Sequence, residues 1–287
     1  GALPGWALHG AVALGLAATG GFLGWQWRRG RAALGKPHPG LAWYQAALGC
    51  LLLALLAILA GLLWPAGYAA LRLVHLHLNT LGFIGLTAIG TLHVLMPTVL
   101  GQPDPLAAQR LRRQLPWALG GVALSALAGV LPWLTLPGAL LMGGVVAHTL
   151  TGWVKTHGWR RIVGDGAAVA LMGAGVGLLA AMAIGFAHGL GGMPGRPAVT
   201  AFFALFLLPL VTGALSQLLP VWRFPGPVTP ARGRMRTALV RFGALRTGLF
   251  LGGGALLTLG QTAGAALLAA GVLLFAAVLL GGLAVRR

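Results

Sequence analysis

Residues 71–97 read LRLVHLHLNTLGFIGLTAIGTLHVLMP. The stretch is apolar and longer than the roughly 20 residues that a helix needs to cross a bilayer, yet it contains His75 and His77. Ionisable side chains inside a membrane-spanning helix are costly and are rarely kept without a partner. Neutral imidazole is a good ligand for haem iron and for copper. The stretch therefore predicts a membrane protein that holds a redox metal.

The composition of the whole chain places most of it in lipid. Hydrophobic residues make up 58% of the 287 residues and charged residues only 8%, whereas a soluble domain carries about 25% charged residues. The net charge of +18 does not indicate nucleic acid, because the Lys and Arg residues lie in short clusters between apolar stretches. Such clusters are typical of topology signals, so we expect the lipid bilayer as a partner and no nucleic acid.

The scarcity of acidic residues excludes several classes of function. The chain has no Glu, and its only Asp residues are Asp104 and Asp165. Proton relays and ion-coupled carriers usually depend on carboxylates within the membrane, and hydrolases use paired carboxylates or a Ser-His-Asp set. The composition disfavours all of these. We expect Asp165 to form an ion pair with a nearby basic residue, and Gln217 to form a hydrogen bond between helices.

Hydropathy predicts an all-α, polytopic membrane helix bundle, with residues 1–287 as a single integral membrane domain. About nine transmembrane helices are expected, at residues 5–27, 41–64, 68–99, 116–136, 137–159, 162–189, 199–222, 246–262 and 264–285. Two similar stretches end the third and seventh spans, GTLHVLMP at 90–97 and GALSQLLP at 213–220. They indicate two parallel four-helix repeats, at 1–136 and 137–262, with 264–285 as an extra helix. Chance similarity between apolar helices is the alternative.

The basic residues predict the orientation in the membrane. Clusters follow the first, third, fifth and seventh spans, and Arg286 and Arg287 end the chain, so all of these fall on one side. Only Arg72 and Arg196 fall on the other side. By the positive-inside rule the N-terminus lies outside and the C-terminus in the cytoplasm. We expect a multi-pass protein of the bacterial cytoplasmic (inner) membrane.

Five of the eight histidines gather in the outer half of the predicted membrane. At 1.5 Å per residue, His75 lies about 10 Å deep, His77 about 14 Å and His148 about 16 Å. His9 and His188 lie close to the outer surface, at the start of the first span and the end of the sixth. Five imidazoles at similar depth favour metal binding, although each alone could instead hydrogen-bond to a neighbouring carbonyl.

Helix geometry assigns His75 and His77 to different sites. Residues i and i+2 are about 200° apart around a helix, so the two rings point to opposite sides. His77 and His148, at similar depth on different spans, are predicted to be the axial ligands of a low-spin haem. His75, together with His9 or His188, is predicted to form a second haem site or a copper site.

The run from Arg72 through His77-Leu78-Asn79 to Pro97 resembles a haem-ligand helix of the haem-copper oxidase and nitric oxide reductase superfamily. The His75-Leu76-His77 pair resembles the H-x-H helix of the same group, and the stretch is similar to the NnrS-like haem membrane proteins. The resemblance covers mainly residues 68–100 and implies haem b on His77, with His148. Because the His-Pro-Glu and His-His motifs of the oxidase copper site are absent from the sequence, it does not imply oxygen reduction.

Three functions follow from these residues. The first is a haem b protein that transfers electrons, or acts in nitric oxide or oxygen-related chemistry, near the outer face, with Arg72 and Arg196 as partners for haem propionates. Its partners would be other respiratory-complex subunits or a periplasmic electron-transfer protein, and whether it is itself an oxidoreductase is left open. The alternatives are a copper-handling transporter or chaperone, which uses the same histidines with methionines, and a non-catalytic anchor subunit of a respiratory complex.

Overall fold

The fold is entirely helical in the part of the chain that the computed structural model describes, residues 5–192 and 195–286. Seven helical stretches in this part are long and apolar enough to cross a membrane. They occupy residues 6–31, 40–63, 65–100, 132–157, 166–189, 195–223 and 263–283. The predicted fold class, an all-α polytopic membrane helix bundle, is confirmed.

The first six α-helices lie between residues 5 and 157. They are α1 (Gly5–Arg31), α2 (Gly40–Leu63), α3 (Tyr68–His77), α4 (Leu86–Leu100), α5 (Ala107–Leu127) and α6 (Thr135–His157). A π-helical segment, Leu78–Gly85, joins α3 to α4, so that these three elements form one long helix. Short 3-10 turns that begin at Pro65 and Pro132 precede α3 and α6.

Seven further helices complete the chain. They are α7 (Trp159–Val163), α8 (Gly166–Gly189), α9 (Gly195–Ala201), α10 (Leu208–Arg223), α11 (Pro230–Val240), α12 (Gly243–Thr258) and α13 (Ala263–Leu283). A second π-helical segment, Phe202–Leu207, joins α9 to α10. The predicted sixth span, 162–189, is interrupted at Gly164 and Asp165, directly before α8 begins at Gly166.

The predicted fourth span, 116–136, is wrong in its position. Pro116 suggests a helix start, but α5 begins at Ala107 and continues through Pro116 to Leu127. Its first turns carry three arginines of a cluster that sequence reasoning assigned to a loop, and Leu111 and Gln114 on the same turns are buried. Because this face is packed against the protein, the helix begins before the apolar stretch, among the arginines.

Two of the nine predicted spans do not meet the length and hydropathy expected of a membrane helix. In α5 the arginines lower the mean hydropathy, and α12 has only 16 residues. A helix of that length measures about 24 Å, which is less than the roughly 30 Å of a hydrocarbon core. Whether α5 and α12 span the bilayer stays a prediction.

Helix α11 lies in the basic segment that follows the seventh predicted span. The hydroxyl of Thr229 accepts a hydrogen bond from the backbone N–H of Arg232 at 3.3 Å, and Pro230 follows at the first helical position. Both features are typical of a helix start. Ala231, Met235 and Leu239 are buried on one face, and their spacing of four residues is that of an amphipathic helix.

The chain forms two compact units, each with its own packing. Unit 1 comprises the described parts of residues 1–93 and 105–145, and unit 2 those of 94–104 and 146–287. In unit 1, α2 packs against α3, the first π-helical segment and α5, and the indole of Trp43 is fully buried. In unit 2, α8 packs against α10, α12 and the second π-helical segment.

The two π-helical segments occupy similar positions relative to the similar stretches in the sequence. The first begins 12 residues before Gly90, and the second begins 11 residues before Gly213. π-Helical turns are rare overall, but those that occur are frequently found at functional sites. The first segment, which begins directly after His77, is therefore a candidate part of a functional site. The duplication itself, with repeats at 1–136 and 137–262, stays a prediction.

Candidate functional site

His75 faces helix α2. Its ring Nδ1 lies 2.8 Å from the backbone carbonyl oxygen of Ala54, which belongs to α2. Leu71, one turn earlier on α3, faces the same way, because a Cβ atom at Gly61 of α2 would lie 3.5 Å from Cβ of Leu71. The side chain is half-buried.

His77 lies on a different face of the same helix. Its Nδ1 lies 2.9 Å from the carbonyl oxygen of Leu73, one turn earlier. Ala70 and Leu73 share this face, since a Cβ atom at Gly129, just after α5, would lie 2.9 Å from Cβ of Leu73 and 3.2 Å from the oxygen of Ala70. His77 is also half-buried. The two imidazoles therefore face different neighbours, as an i, i+2 spacing on a helix requires.

The hydrogen bonds identify Nδ1 as the donor atom of both rings. A carbonyl oxygen only accepts hydrogen bonds, so Nδ1 of His75 and Nδ1 of His77 must each carry the proton. In a neutral imidazole the lone pair then lies on Nε2. Metal-ligating histidines usually donate their other ring N–H to a carbonyl or carboxylate in this way. The donor set of His75 and His77 thus fits an axial ligand of haem iron.

Gly82 serves helix packing beside these histidines. It lies in the first π-helical segment, and a Cβ atom there would lie 2.7 Å from Cβ of Cys50 on α2 and 3.2 Å from Cγ1 of Val122 on α5. Small residues let membrane helices approach closely. The glycine accordingly brings α2 and α5 against the helix that carries His75 and His77.

The other predicted ligands lie elsewhere. His9 on α1 belongs to unit 1 and is exposed, whereas His148 on α6 and His188 near the end of α8 belong to unit 2. His148 is exposed, and His188 is half-buried with its Nε2 beside Gly195, where a Cβ atom would lie 3.1 Å away. The pairing of His77 with His148, and of His75 with His9 or His188, stays a prediction.

No group of three or more His, Cys, Asp or Glu side chains that could hold a metal ion occurs in the described ranges 5–192 and 195–286. A haem needs only one or two axial protein ligands. Arg72 and Arg196, the predicted propionate partners, are both exposed.

His93 is a further imidazole of unit 1 that sequence reasoning did not select. It is 1% exposed, its Nδ1 lies 2.8 Å from the carbonyl oxygen of Ile89, and its ring centroid is 6.1 Å from that of Trp43. Trp43 in turn donates its indole N–H to the carbonyl oxygen of Leu111 at 2.9 Å. Gly90 lies three residues before His93, about one helical turn away. Because Gly90 has no side chain, Trp43 can pack against the helix beside His93. This spacing of glycine and histidine was the sequence signal for the contact.

Comparisons with family models, curated proteins and solved structures give no match for this chain. The resemblance to the haem-copper oxidase and nitric oxide reductase superfamily, or to NnrS-like proteins, therefore stays a prediction.

Proposed function

We propose that this chain is a haem b-binding protein of the bacterial cytoplasmic membrane. It transfers electrons, or binds a diatomic gas such as nitric oxide, near the outer face. The observation that carries the proposal is the pair of Nδ1 hydrogen bonds from His75 and His77 to backbone carbonyl oxygens. These bonds orient both rings through Nδ1, which is the arrangement usual for histidines that bind a metal through Nε2.

The proposed low-spin haem uses His77 and His148. His148 is exposed on a helix that is apolar enough to span the membrane, and an imidazole that faces hydrocarbon is costly. A haem bound against α6 would cover this ring and remove that cost. His75, with His9 or His188, is proposed for a second haem or a copper ion, and Arg72 is the proposed propionate partner on the outer side.

The proposed orientation has the N-terminus outside and the C-terminus in the cytoplasm. It rests on the clusters of Arg and Lys that follow alternate spans and on the positive-inside rule. The proposed haem then lies below the outer surface, within reach of a periplasmic electron-transfer protein or of other subunits of a respiratory complex.

Absorption spectra of the purified protein test the ligand assignment. We expect a Soret band and sharp α and β bands after reduction in the wild type, and loss of the low-spin signal in His77→Ala and in His148→Ala, because each removes an axial ligand. His38→Ala is the matched control, since His38 lies before α2 and its Nδ1 accepts a hydrogen bond from the backbone N–H of Gly40 at 3.1 Å. This variant should keep the wild-type spectrum.

Two results would contradict the assignment. Unchanged spectra in both His77→Ala and His148→Ala, with wild-type circular dichroism, would show that these rings do not ligate the haem. Absence of a Soret band, with copper present in elemental analysis, would contradict haem binding and support a copper-handling function.

A further inference from the structure

A cavity of about 780 Å³ opens at the end of unit 2 where α4 and α10 finish. Its wall includes the turn after α4, the junction of α7 and α8, the last turn of α10, and α11. In the predicted topology α4 and α10 both end on the cytoplasmic side, which would place these segments at that membrane surface. The polar side chains that line the cavity are Gln102, Arg161, Asp165, Gln217, Arg232 and Arg236, together with Thr98.

Arg236 is neutralised and fixed within the cavity wall. Its Nη2 forms an ion pair with Oδ2 of Asp165 at 2.6 Å and donates to the carbonyl oxygen of Val99 at 2.9 Å. Its Nε donates to Oε1 of Gln217 at 2.8 Å. Asp165 also accepts hydrogen bonds from the first backbone N–H groups of α8. The predicted ion pair of Asp165 and the predicted interhelical bond of Gln217 are both confirmed here.

Arg161 and Arg232 line the same wall. Arg232 uses one donor, Nη1, on the carbonyl oxygen of Gly226 at 3.1 Å, and a guanidinium has five N–H donors. Neither arginine forms an ion pair within the described residues. The chain carries 20 Lys and Arg residues against two Asp residues, so it has almost no carboxylates with which to neutralise them. Arg161 is exposed and Arg232 half-buried, so both guanidinium groups are open to a ligand that enters the cavity.

We propose that this cavity binds a phosphate group through Arg161 and Arg232, presented either by an anionic lipid headgroup or by a soluble phosphate. Planar guanidinium groups match the oxygens of a phosphate in a bidentate geometry. The volume falls within the range of about 300–1,000 Å³ that small-molecule sites occupy. Val99, Val221 and Val228 provide apolar wall beside the charges, and basic pockets between membrane helices are known to bind phospholipid headgroups.

Two binding measurements on the full chain test the site and identify the source of the phosphate. Native mass spectrometry measures retained cardiolipin against phosphatidylcholine, and isothermal titration measures binding of inorganic phosphate. We expect Arg161→Gln and Arg232→Gln each to weaken binding about tenfold, because each removes charge-assisted hydrogen bonds. Arg234→Gln is the matched control: it lies on α11, donates to the carbonyl oxygen of Arg286 at 3.3 Å, and does not line the cavity. It should bind as the wild type does.

Loss in the cardiolipin measurement alone identifies a lipid headgroup, and loss in the phosphate titration alone identifies a soluble ligand. Wild-type binding by the Arg161→Gln, Arg232→Gln double variant in both measurements overturns the site, as does no binding of either probe by the wild type. An equal loss in Arg234→Gln also overturns it, because the effect would then be general surface charge.

Discussion

Arg246→Ala should lower the free energy of unfolding by about 3–5 kcal/mol. The side chain is fully buried on α12, and its guanidinium donates to the carbonyl oxygens of Leu239 at 3.0 Å and Arg241 at 3.1 Å. It also donates to Oγ of Ser216 at 3.3 Å and lies 5.0 Å from the ring centroid of Phe275. Alanine leaves the carbonyl groups at the end of α11 without these donors and leaves a cavity beside Phe275.

Two further variants make this result specific. Arg246→Lys keeps the charge but has no planar fork to reach three acceptors, so we expect an intermediate loss. Arg234→Ala removes an exposed arginine with one 3.3 Å hydrogen bond and should change stability by no more than about 0.5 kcal/mol. Unfolding in mixed micelles with increasing dodecyl sulfate measures all three. Equal stability of Arg246→Ala and Arg234→Ala would show that the buried guanidinium does not hold α10, α11 and α12 together.

Gly177→Val should destabilise unit 2 by about 3 kcal/mol or more. Gly177 lies in α8 and packs against the second π-helical segment so closely that a Cβ atom would overlap the carbonyl oxygen of Leu205. A backbone atom cannot rotate away as a flexible side chain can, so the two helices would have to separate. Ala204 and Leu205, both buried, would lose their contacts.

Gly185→Val is the matched control for this change. Gly185 lies two turns later in α8, and a Cβ atom there would have no neighbour within 4 Å. The two variants share the gain in volume and the cost of a β-branched residue in a helix, so their difference isolates the packing. Thermal unfolding followed by circular dichroism should separate them clearly. Coincident curves would mean that α8 does not approach Leu205 as closely as described.

Hydropathy predicted the fold well where helices are apolar along their length. The spans at 41–64 and 264–285 differ by one or two residues from α2 and α13. It failed where packing and polarity conflict: α5 carries arginines in its first turns, and α11 is short and basic. In α11 the start signal of Thr229 and Pro230 and the spacing of Met235 and Leu239 were present in the sequence, although the arginines obscured them.

The different faces of His75 and His77 were predictable from the sequence, whereas their hydrogen-bond partners were not. The sequence singles out His75 and His77 because an ionisable pair in an apolar span is unusual. Their i, i+2 spacing places them on opposite sides of a helix. It cannot identify Ala54 as the acceptor for His75, since that carbonyl belongs to another helix 21 residues away. The same limit applies to Asp165, whose ion pair was expected but whose partner, Arg236, lies 71 residues further along.

The π-helical segment after His77 lets the long helix absorb a single-residue change in length without turning its two ends against each other. A π turn contains about one residue more than an α turn, so deletion of one residue within Leu78–Gly85 would restore regular α-helix. Because the wide turn holds the extra residue within about one turn, the deletion would leave His75 and His77 on nearly the same faces relative to Leu86–Leu100. The same deletion in a regular part of the helix would instead rotate one end by about 100° against the other, so the π-helical segment is where a change in length leaves the neighbours of both rings unchanged.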